Sequence, residues 1–189
     1  MNKIYLCQTC SGRKWQAIET VSHNINSIKA YYRMEKPSVN YFHDWPMCSM
    51  CIVDYNCKDN ITEYLLNEHA EDIVNGFLSI FKVENEMPWH MARVKNIAMR
   101  MGIGLGGNYV VSLDIDNFIM PREIRLLASL NRNGTSYHGI NSFYDGSCGR
   151  IGCSSSSFLR CRGFREDAPI CWHSRHRPNK KVGYFFRHC

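Results

Sequence analysis

Short apolar runs alternate with amphipathic stretches along this chain, which is the signature of βα units around a mostly parallel sheet. Ile4-Tyr5-Leu6-Cys7 reads as the first strand, followed by the polar turn Ser11-Gly12-Arg13-Lys14. A helix follows, with Ile18, Val21, Ile25 and Ile28 on one stripe at helical spacing. Met47 to Val53 reads as a buried second strand ending at Asp54, and Asn60 with Glu63 has the spacing of a capping box that opens a short helix. Phe77 to Lys82 is a third strand. Pro88-Trp89-His90 then leads into a helix from Ala92 to Met101, whose positions Val94, Ile97, Ala98 and Met101 form the apolar stripe. That assignment puts Arg93, Asn96 and Arg100 together on the polar side. The glycines from Gly102 to Gly107 come after a helix and before a strand, the reverse of the order a dinucleotide-binding loop needs, so they read as a helix stop and turn.

Tyr109 to Leu113 is an unbroken apolar run of the kind covered by helices on both faces, and Asp114-Ile115-Asp116-Asn117 follows it directly. Pro121 suits a first helical turn, and Arg122 to Leu130 has helix character. Residues 131–149, rich in Asn, Gly, Ser and Tyr, read as loop or hairpin with Asp145-Gly146 as the turn. No internal repeat is visible.

The 189 residues, 44% apolar and 21% charged, provide for one domain with a real core and exclude disorder and collagen-like arrays. No run approaches the roughly 18–20 apolar residues of a membrane span, and the first residues lack the apolar stretch of a secretion signal. The expectation is a cytoplasmic protein. Charge refines this picture, because residues 1–159 carry equal numbers of acids and bases, whereas residues 160–189 account for the whole net charge of +6. Residues 166–189 therefore read as a basic tail, either simply solvated or in peripheral contact with an anionic membrane surface or a diphosphate. His173, His176 and His188 in it read as surface residues.

Ten cysteines would suit a disulfide framework in a small secreted chain, but without a signal sequence free thiols are expected. Cys7/Cys10 and Cys48/Cys51 have zinc-knuckle spacing locally, yet 37 residues separate the pairs and both sit on strands, where residues three apart point to opposite faces. A zinc-stabilised nucleic-acid-binding protein is thus the weakest reading, and no nucleic-acid partner is expected.

Two carboxylates one residue apart at the end of a buried strand repel unless positive charge lies beside them, and a divalent cation supplies it. Ligands of open α/β sheets bind beyond the carboxyl ends of strands, where Asp114 and Asp116 fall. Mn²⁺ or Mg²⁺ prefers a few carboxylate oxygens together with the oxygens of a diphosphate. The plainer alternative is that Asp116 or Asn117 caps the helix after Pro121.

The sequence resembles the metal-dependent glycosyltransferases of the GT-A fold, in particular the inverting enzymes called family 2. The resemblance rests on Thr9-Cys10-Ser11-Gly12-Arg13, on Ile52-Val53-Asp54-Tyr55-Asn56 with Asp59-Asn60, on Ala92-Arg93-Val94-Lys95-Asn96-Ile97-Ala98 and on Leu113-Asp114-Ile115-Asp116-Asn117-Phe118. Gly149-Arg150-Ile151, Phe158-Leu159 and Gly163-Phe164 add a weaker match, so that residues 1–165 form the implied domain. It implies an α/β, three-layer αβα sandwich with a mostly parallel central sheet, and transfer of a sugar from a nucleotide diphosphate sugar, a UDP-sugar first, to a carbohydrate, lipid or protein hydroxyl. Thr9 and Arg13 would touch base and ribose, Asp54 would accept a hydrogen bond from the base, and Arg93 with Asn96 would face the diphosphate or base. Asp114 would lie on the ribose side and Asp116 would hold the metal. Plainer roles remain open for Asp54, as a turn cap, and for Arg93, as a solvated helix residue.

Here the pattern departs from the family. An inverting enzyme needs a carboxylate base near the acceptor, usually in an acidic pair well after the Gly-Phe step. The only acids after Asp145 are Glu166 and Asp167, directly behind Gly163-Phe164-Arg165. They are the catalytic candidates, or else ordinary acids of that step, crowded by Arg162 and Arg165. A nucleotide-sugar-binding domain truncated on its acceptor side and without transfer activity is therefore the alternative reading.

Overall fold

The computed structural model describes residues 3–35, 47–84, 87–135, 137–138 and 150–167. The four apolar runs become β1 (Lys3–Cys10), β2 (Met47–Tyr55), β3 (Leu78–Val83) and β4 (Tyr109–Leu113). They alternate with α1 (Lys14–Glu35), α2 (Ile61–Glu68), α3 (Ala70–Val74) and α4 (Met91–Gly104), and α5 (Pro121–Arg132) follows β4. The short strands β5 (Tyr137–His138) and β6 (Ile151–Ser154) and the helix α6 (Ser155–Cys161) complete the order.

The sheet runs β3-β2-β1-β4-β6-β5. Strands β1 to β4 are mutually parallel, β6 is antiparallel to β4, and β5 is antiparallel to β6. Parallel strands need covering on both faces, and each face has its own core. Ile4, Leu6, Met50, Ile52, Val111 and Leu113 pack under α1 and α5, whereas Tyr5, Cys7, Cys51, Val53 and Val110 pack with Val94, Ala98 and Met99 of α4. The result is the expected three-layer αβα sandwich. The chain runs from β1 outward through β2 to β3, then crosses to place β4 on the other side of β1. The switch point of the sheet therefore lies between β1 and β4, and their carboxyl ends share one edge.

A hydrogen-bonded chain braces the α1 side. Ser22 Oγ lies 3.2 Å from His69 Nε2, and His69 Nδ1 lies 3.1 Å from Asp72 Oδ2. Lys29 pairs with Asp72 from α1. Among the described residues, no helix is long and apolar enough to cross a membrane.

Several expectations need correction. Asn60 precedes α2 as expected, but its φ of 52° is left-handed and its side chain makes no capping hydrogen bond, so the capping box does not form. The buried face of α4 carries Val94, Lys95, Ala98, Met99 and Gly102, whereas Ile97 and Met101 are only partly covered. It is thus turned from the stripe read off the sequence, and it includes a lysine. The helix also runs on through Gly104 before the turn at Gly106, whose φ is +89°. β6 and α6 were not legible, because Ile-Gly-Cys-Ser has no alternation and the serines that follow look like loop. In fact Ser154 is the N-cap of α6, its Oγ accepting from Ser157 N at 3.1 Å. Cys161 is disulfide-bonded, against the expectation of free thiols. Cys7, Cys10, Cys48, Cys51, Cys57 and Cys153 are free. The Asp145-Gly146 turn and the tail histidines lie outside the described residues.

The tight contact between α4 and β1 makes a stability prediction. A Cβ on Gly102 would stand 2.8 Å from Cys7 Sγ and 3.0 Å from Tyr5 Cβ, whereas one on Gly104 would meet nothing within 4 Å. Overpacking of this kind costs about 1–3 kcal/mol. Urea unfolding of Gly102→Ala should show a loss of that size, while Gly104→Ala should be neutral or slightly stabilising.

Candidate functional site

Three loops meet at the carboxyl edge of the sheet: residues 11–13 after β1, 56–60 after β2 and 114–120 after β4. The last is the most heavily braced. Asn117 N donates to Asp114 O at 3.0 Å, closing a turn. Gln8 Nε2 donates to the Asp114 carbonyl at 3.0 Å, and Thr20 Oγ1 donates to Ile115 O at 2.6 Å. Asn24 holds the loop from both directions, donating to Asn117 O at 3.0 Å and accepting from Ile119 N at 2.8 Å. From the other side the buried Arg150 donates to Glu123 Oε1 at 2.5 Å and to Phe118 O at 2.6 Å. Glu123 in turn accepts from Met120 N at 2.8 Å, which fixes the start of α5.

This bracing presents the two aspartates differently. Asp114 is partly covered, and its Oδ1 lies 2.6 Å from Nζ of Lys95, which is only 3% exposed. Lys95 comes from the first turns of α4, so the ion pair joins α4 to the end of β4. Asp116 is 49% exposed, and its nearest cation, Arg13 Nη1, stands 3.9 Å away and is itself exposed. An open pair at that distance contributes little. The Asn117 amide donates weakly to Asp116 Oδ1 at 3.4 Å, and the carboxylate otherwise faces solvent, held in place by its backbone.

Asp54 and Asp114 both lie on the carboxyl edge, as expected, though on β2 and on the β4 turn with β1 between them rather than on adjacent strands. Asp54 is buried; its Oδ1 accepts from Cys57 N at 3.1 Å and its Oδ2 from Thr62 Oγ1 at 2.5 Å. It orders the loop after β2, where the Cys57 thiol is also in hydrogen-bond contact with it. Thr9 is buried in β1, opposite Val53. Asp59 caps α1, accepting from Lys14 N at 3.0 Å.

Asn96, expected to face a diphosphate, is buried and engaged elsewhere. Its Oδ1 accepts from Phe164 N at 2.7 Å, and its Nδ2 donates to Phe164 O at 3.0 Å and to Glu166 Oε1 at 2.8 Å. Gly163 permits this, since a Cβ there would collide with the Asn96 amide. Arg93 Nε approaches Glu166 Oε2 at 3.5 Å, so α4 holds Glu166 by two side chains. Asp167 is exposed and makes a two-point contact with Arg165, at 3.1 and 2.9 Å. Arg100 is exposed on α4.

Lys95, Gln8, Asn24, Arg150 and Glu123 were missed as site residues. For Lys95 a signal existed, since Lys95, Ala98, Met99 and Gly102 form a continuous stripe at helical spacing, and a lysine in such a stripe needs a buried partner. For Arg150 and Asn24 the sequence offered none.

Among the described residues, no three His, Cys, Asp or Glu side chains converge as a metal site. Asp116 nonetheless suits a hard cation that takes one or two carboxylates and completes its shell with phosphate oxygens and water. The residues therefore fit Mn²⁺ or Mg²⁺ as a partner of bound diphosphate, and not as a metal held by protein alone.

The strand order, the layers and the switch-point placement define an α/β fold of the GT-A-like kind found in nucleotide-sugar transferases. Solved structures agree. A mannosyltransferase from Pyrobaculum calidifontis, in complex with GDP-Man and Mn²⁺, superposes with a TM-score of 0.59 at 16% identity, over 88% of this chain and 48% of that one. S. aureus TarS 1–349 superposes with a TM-score of 0.54 at 12% identity, over 87% of this chain and 51% of that one. Its complex with UDP gives 0.53 at 13%, over 89% and 52%. This chain thus spans about half the length of these proteins. No protein-family model matches the sequence, and no curated protein matches it.

The Lys95–Asp114 pair makes a prediction. Removing one partner of a fully buried pair costs about 3–5 kcal/mol, and Asp114 keeps some solvent, so Lys95→Met should cost less than that. Lys95→Met combined with Asp114→Asn should recover part of the loss, because the stranded charge is gone. Chemical unfolding of the two single variants and the double variant measures the coupling.

Proposed function

We propose that this chain is a metal-dependent glycosyltransferase domain whose Asp114-Ile115-Asp116 acts as the Asp-x-Asp element of an inverting, family 2-like enzyme. Its donor is a nucleoside-diphosphate sugar, a UDP-sugar first, bound outside the carboxyl ends of β1 and β4. The observation that supports it best is the braced 114–120 turn, which holds Asp116 open beside Arg13 at the switch point of the sheet. The bound nucleotide in the P. calidifontis and UDP-complexed TarS structures gives the same direction.

In this reading Thr9, Arg13 and Asp54 flank the base and ribose, Asp114 receives the ribose, and Arg93 stands on the diphosphate side with Asn96 behind it, bonded to Phe164 and Glu166. Asp116 holds Mn²⁺ or Mg²⁺ together with the diphosphate. When bound, the cation neutralises charge that grows on the departing diphosphate. Lys95 keeps the Asp114 carboxylate fixed, and Arg13 turns from Asp116 toward phosphate. Glu166, oriented by Asn96 and Arg93, accepts the proton of the acceptor hydroxyl, with Asp167 as the other candidate. Acceptors are carbohydrate, lipid or protein hydroxyls, and a basic tail gives a lipid-bearing surface a place to dock.

A second reading, donor binding without transfer, is favoured by one observation. The Glu166 carboxylate already accepts from Asn96 at 2.8 Å and faces Arg93, so a proton must compete with both.

Calorimetric titration with UDP and with GDP, with and without Mn²⁺, tests the donor site. Binding should be at least about tenfold tighter with Mn²⁺. Asp116→Asn should abolish that gain with little change in melting temperature; equal affinity with and without metal would refute the cation role. Assays of released diphosphate separate the two readings. Glu166→Gln should lower acceptor-dependent transfer by about 100-fold or more if Glu166 is the base. Only slow, acceptor-independent hydrolysis, insensitive to that change, would select the binding domain.

A further inference from the structure

Beneath the 11–13 loop, two thiols meet. Cys10 ends β1 and is wholly buried, whereas Cys57 lies in the loop after β2, packs against the core cluster that includes Cys10 and is partly open. Their side chains are in hydrogen-bond contact. Cys57 Sγ also accepts from Gly12 N at 3.3 Å, and two residues on Asp59 accepts from Lys14 N at 3.0 Å. Cys57 thus helps to hold the loop bearing Arg13, whose own backbone bonds to Cys10, and Arg13 is the residue 3.9 Å from Asp116.

We propose that Cys10 and Cys57 are a redox-active pair that closes to a disulfide by exchange with a low-molecular-weight disulfide, and that closure displaces the 11–13 loop and weakens nucleotide binding. The last clause rests on the nucleotide reading above; the pair itself does not.

The chemistry balances with oxidised glutathione as the oxidant. Cys57 Sγ attacks one glutathione sulfur as its proton passes to the Cys10 sulfur beside it; the glutathione disulfide breaks, and one glutathione thiolate leaves and takes that proton from Cys10. Cys10 thiolate then attacks Cys57 Sγ, the mixed disulfide breaks, and the second glutathione thiolate leaves. Two protein thiols lose two electrons, one glutathione disulfide gains them, and the two thiol protons pass to the departing glutathione. The Cys57 hydrogen bond lowers the Cys10 pKa from its ordinary value and raises that of Cys57, so Cys10 is the sulfur that gives up its proton first and Cys57 is the thiol that donates to it.

Closure brings the sulfurs to about 2.05 Å, well inside hydrogen-bond contact. It also replaces the sulfur that accepts from Gly12 N with a poorer acceptor. Gly12 has φ +65° and open space where a Cβ would be, so the loop is free to shift at that point.

The interior supplies a contrast. Cys7 and Cys51 are register partners on β1 and β2 and also share a hydrogen bond, but both are wholly buried under α4, and burial raises the Cys7 pKa well above its ordinary value. Reagent has no path to them. Contact alone therefore does not select Cys10 and Cys57; contact together with the opening at Cys57 does.

The test equilibrates the full chain in glutathione redox buffers, quenches with acid, alkylates and maps peptides. Hydrogen exchange at Gly12–Lys14 and calorimetric titration with UDP and Mg²⁺ follow on the reduced and oxidised forms. Expected are a Cys10–Cys57 crosslink, reduced Cys7 and Cys51, faster exchange at Gly12 and UDP affinity lowered about tenfold. Cys57→Ser, which keeps an acceptor for Gly12 N, should bind UDP like the reduced chain in every buffer. Glutathione trapped on Cys57 without a crosslink, or a crosslink that leaves both exchange and affinity unchanged, would overturn the proposal. Absence of UDP binding in the reduced chain would refute the nucleotide reading instead, and the crosslink and the exchange at Gly12 would still decide the pair.

Discussion

The contact on which the rest of the site depends is the ion pair between Lys95 and Asp114. It crosses from α4 to the turn after β4, and so it sets where one helix layer stands relative to the switch point of the sheet. A buried ammonium is costly without a partner, so α4 is held to the rotation that lets Lys95 reach the strand end. Once α4 is fixed in that rotation, Gly102 must lie against Tyr5 and Cys7, and Asn96 must face the segment at Phe164. The apolar contacts of that layer and the placement of Glu166 thus follow from one polar contact.

The fold was legible because its strands are buried on both sides. Tyr109 to Leu113 has no polar alternation to mislead, and its acids mark the carboxyl end without ambiguity. What could not be read was rotation. An apolar stripe on Val94, Ile97, Ala98 and Met101 is good helical periodicity, and Val94 and Ala98 are indeed buried, but Met99 and Gly102 complete the contact in place of Ile97 and Met101, and a glycine contributes nothing to a hydrophobic pattern. The same blindness hid β6. Gly152 is there because a Cβ would stand 2.9 Å from the Tyr109 ring, a fact of packing with no local signature.

In the candidate site the acids could be placed at strand ends from the sequence, and their braces could not. Asp54, Asp114 and Asp116 announce themselves as carboxylates at strand ends, whereas Asn24, Thr20 and Arg150 act on the same turn from far along the chain. Asn96 shows the reverse error. Its place in the α4 motif suggested a ligand contact, and its amide is instead engaged in holding a neighbouring segment. A polar residue on a helix near a cleft has two ways to satisfy itself, and only the tertiary partner decides between them.

The two aspartates also differ in how a ligand must address them. Asp114 already has its cation, supplied by the chain and buried. Asp116 has a distant, solvated guanidinium at 3.9 Å and the Asn117 amide at 3.4 Å, both weak partners. Repulsion between the two carboxylates is therefore relieved in unequal ways: permanently at Asp114, and conditionally at Asp116. That inequality makes one carboxylate of the pair a fixed structural element and leaves the other exposed on the side of the cleft where Arg13 stands.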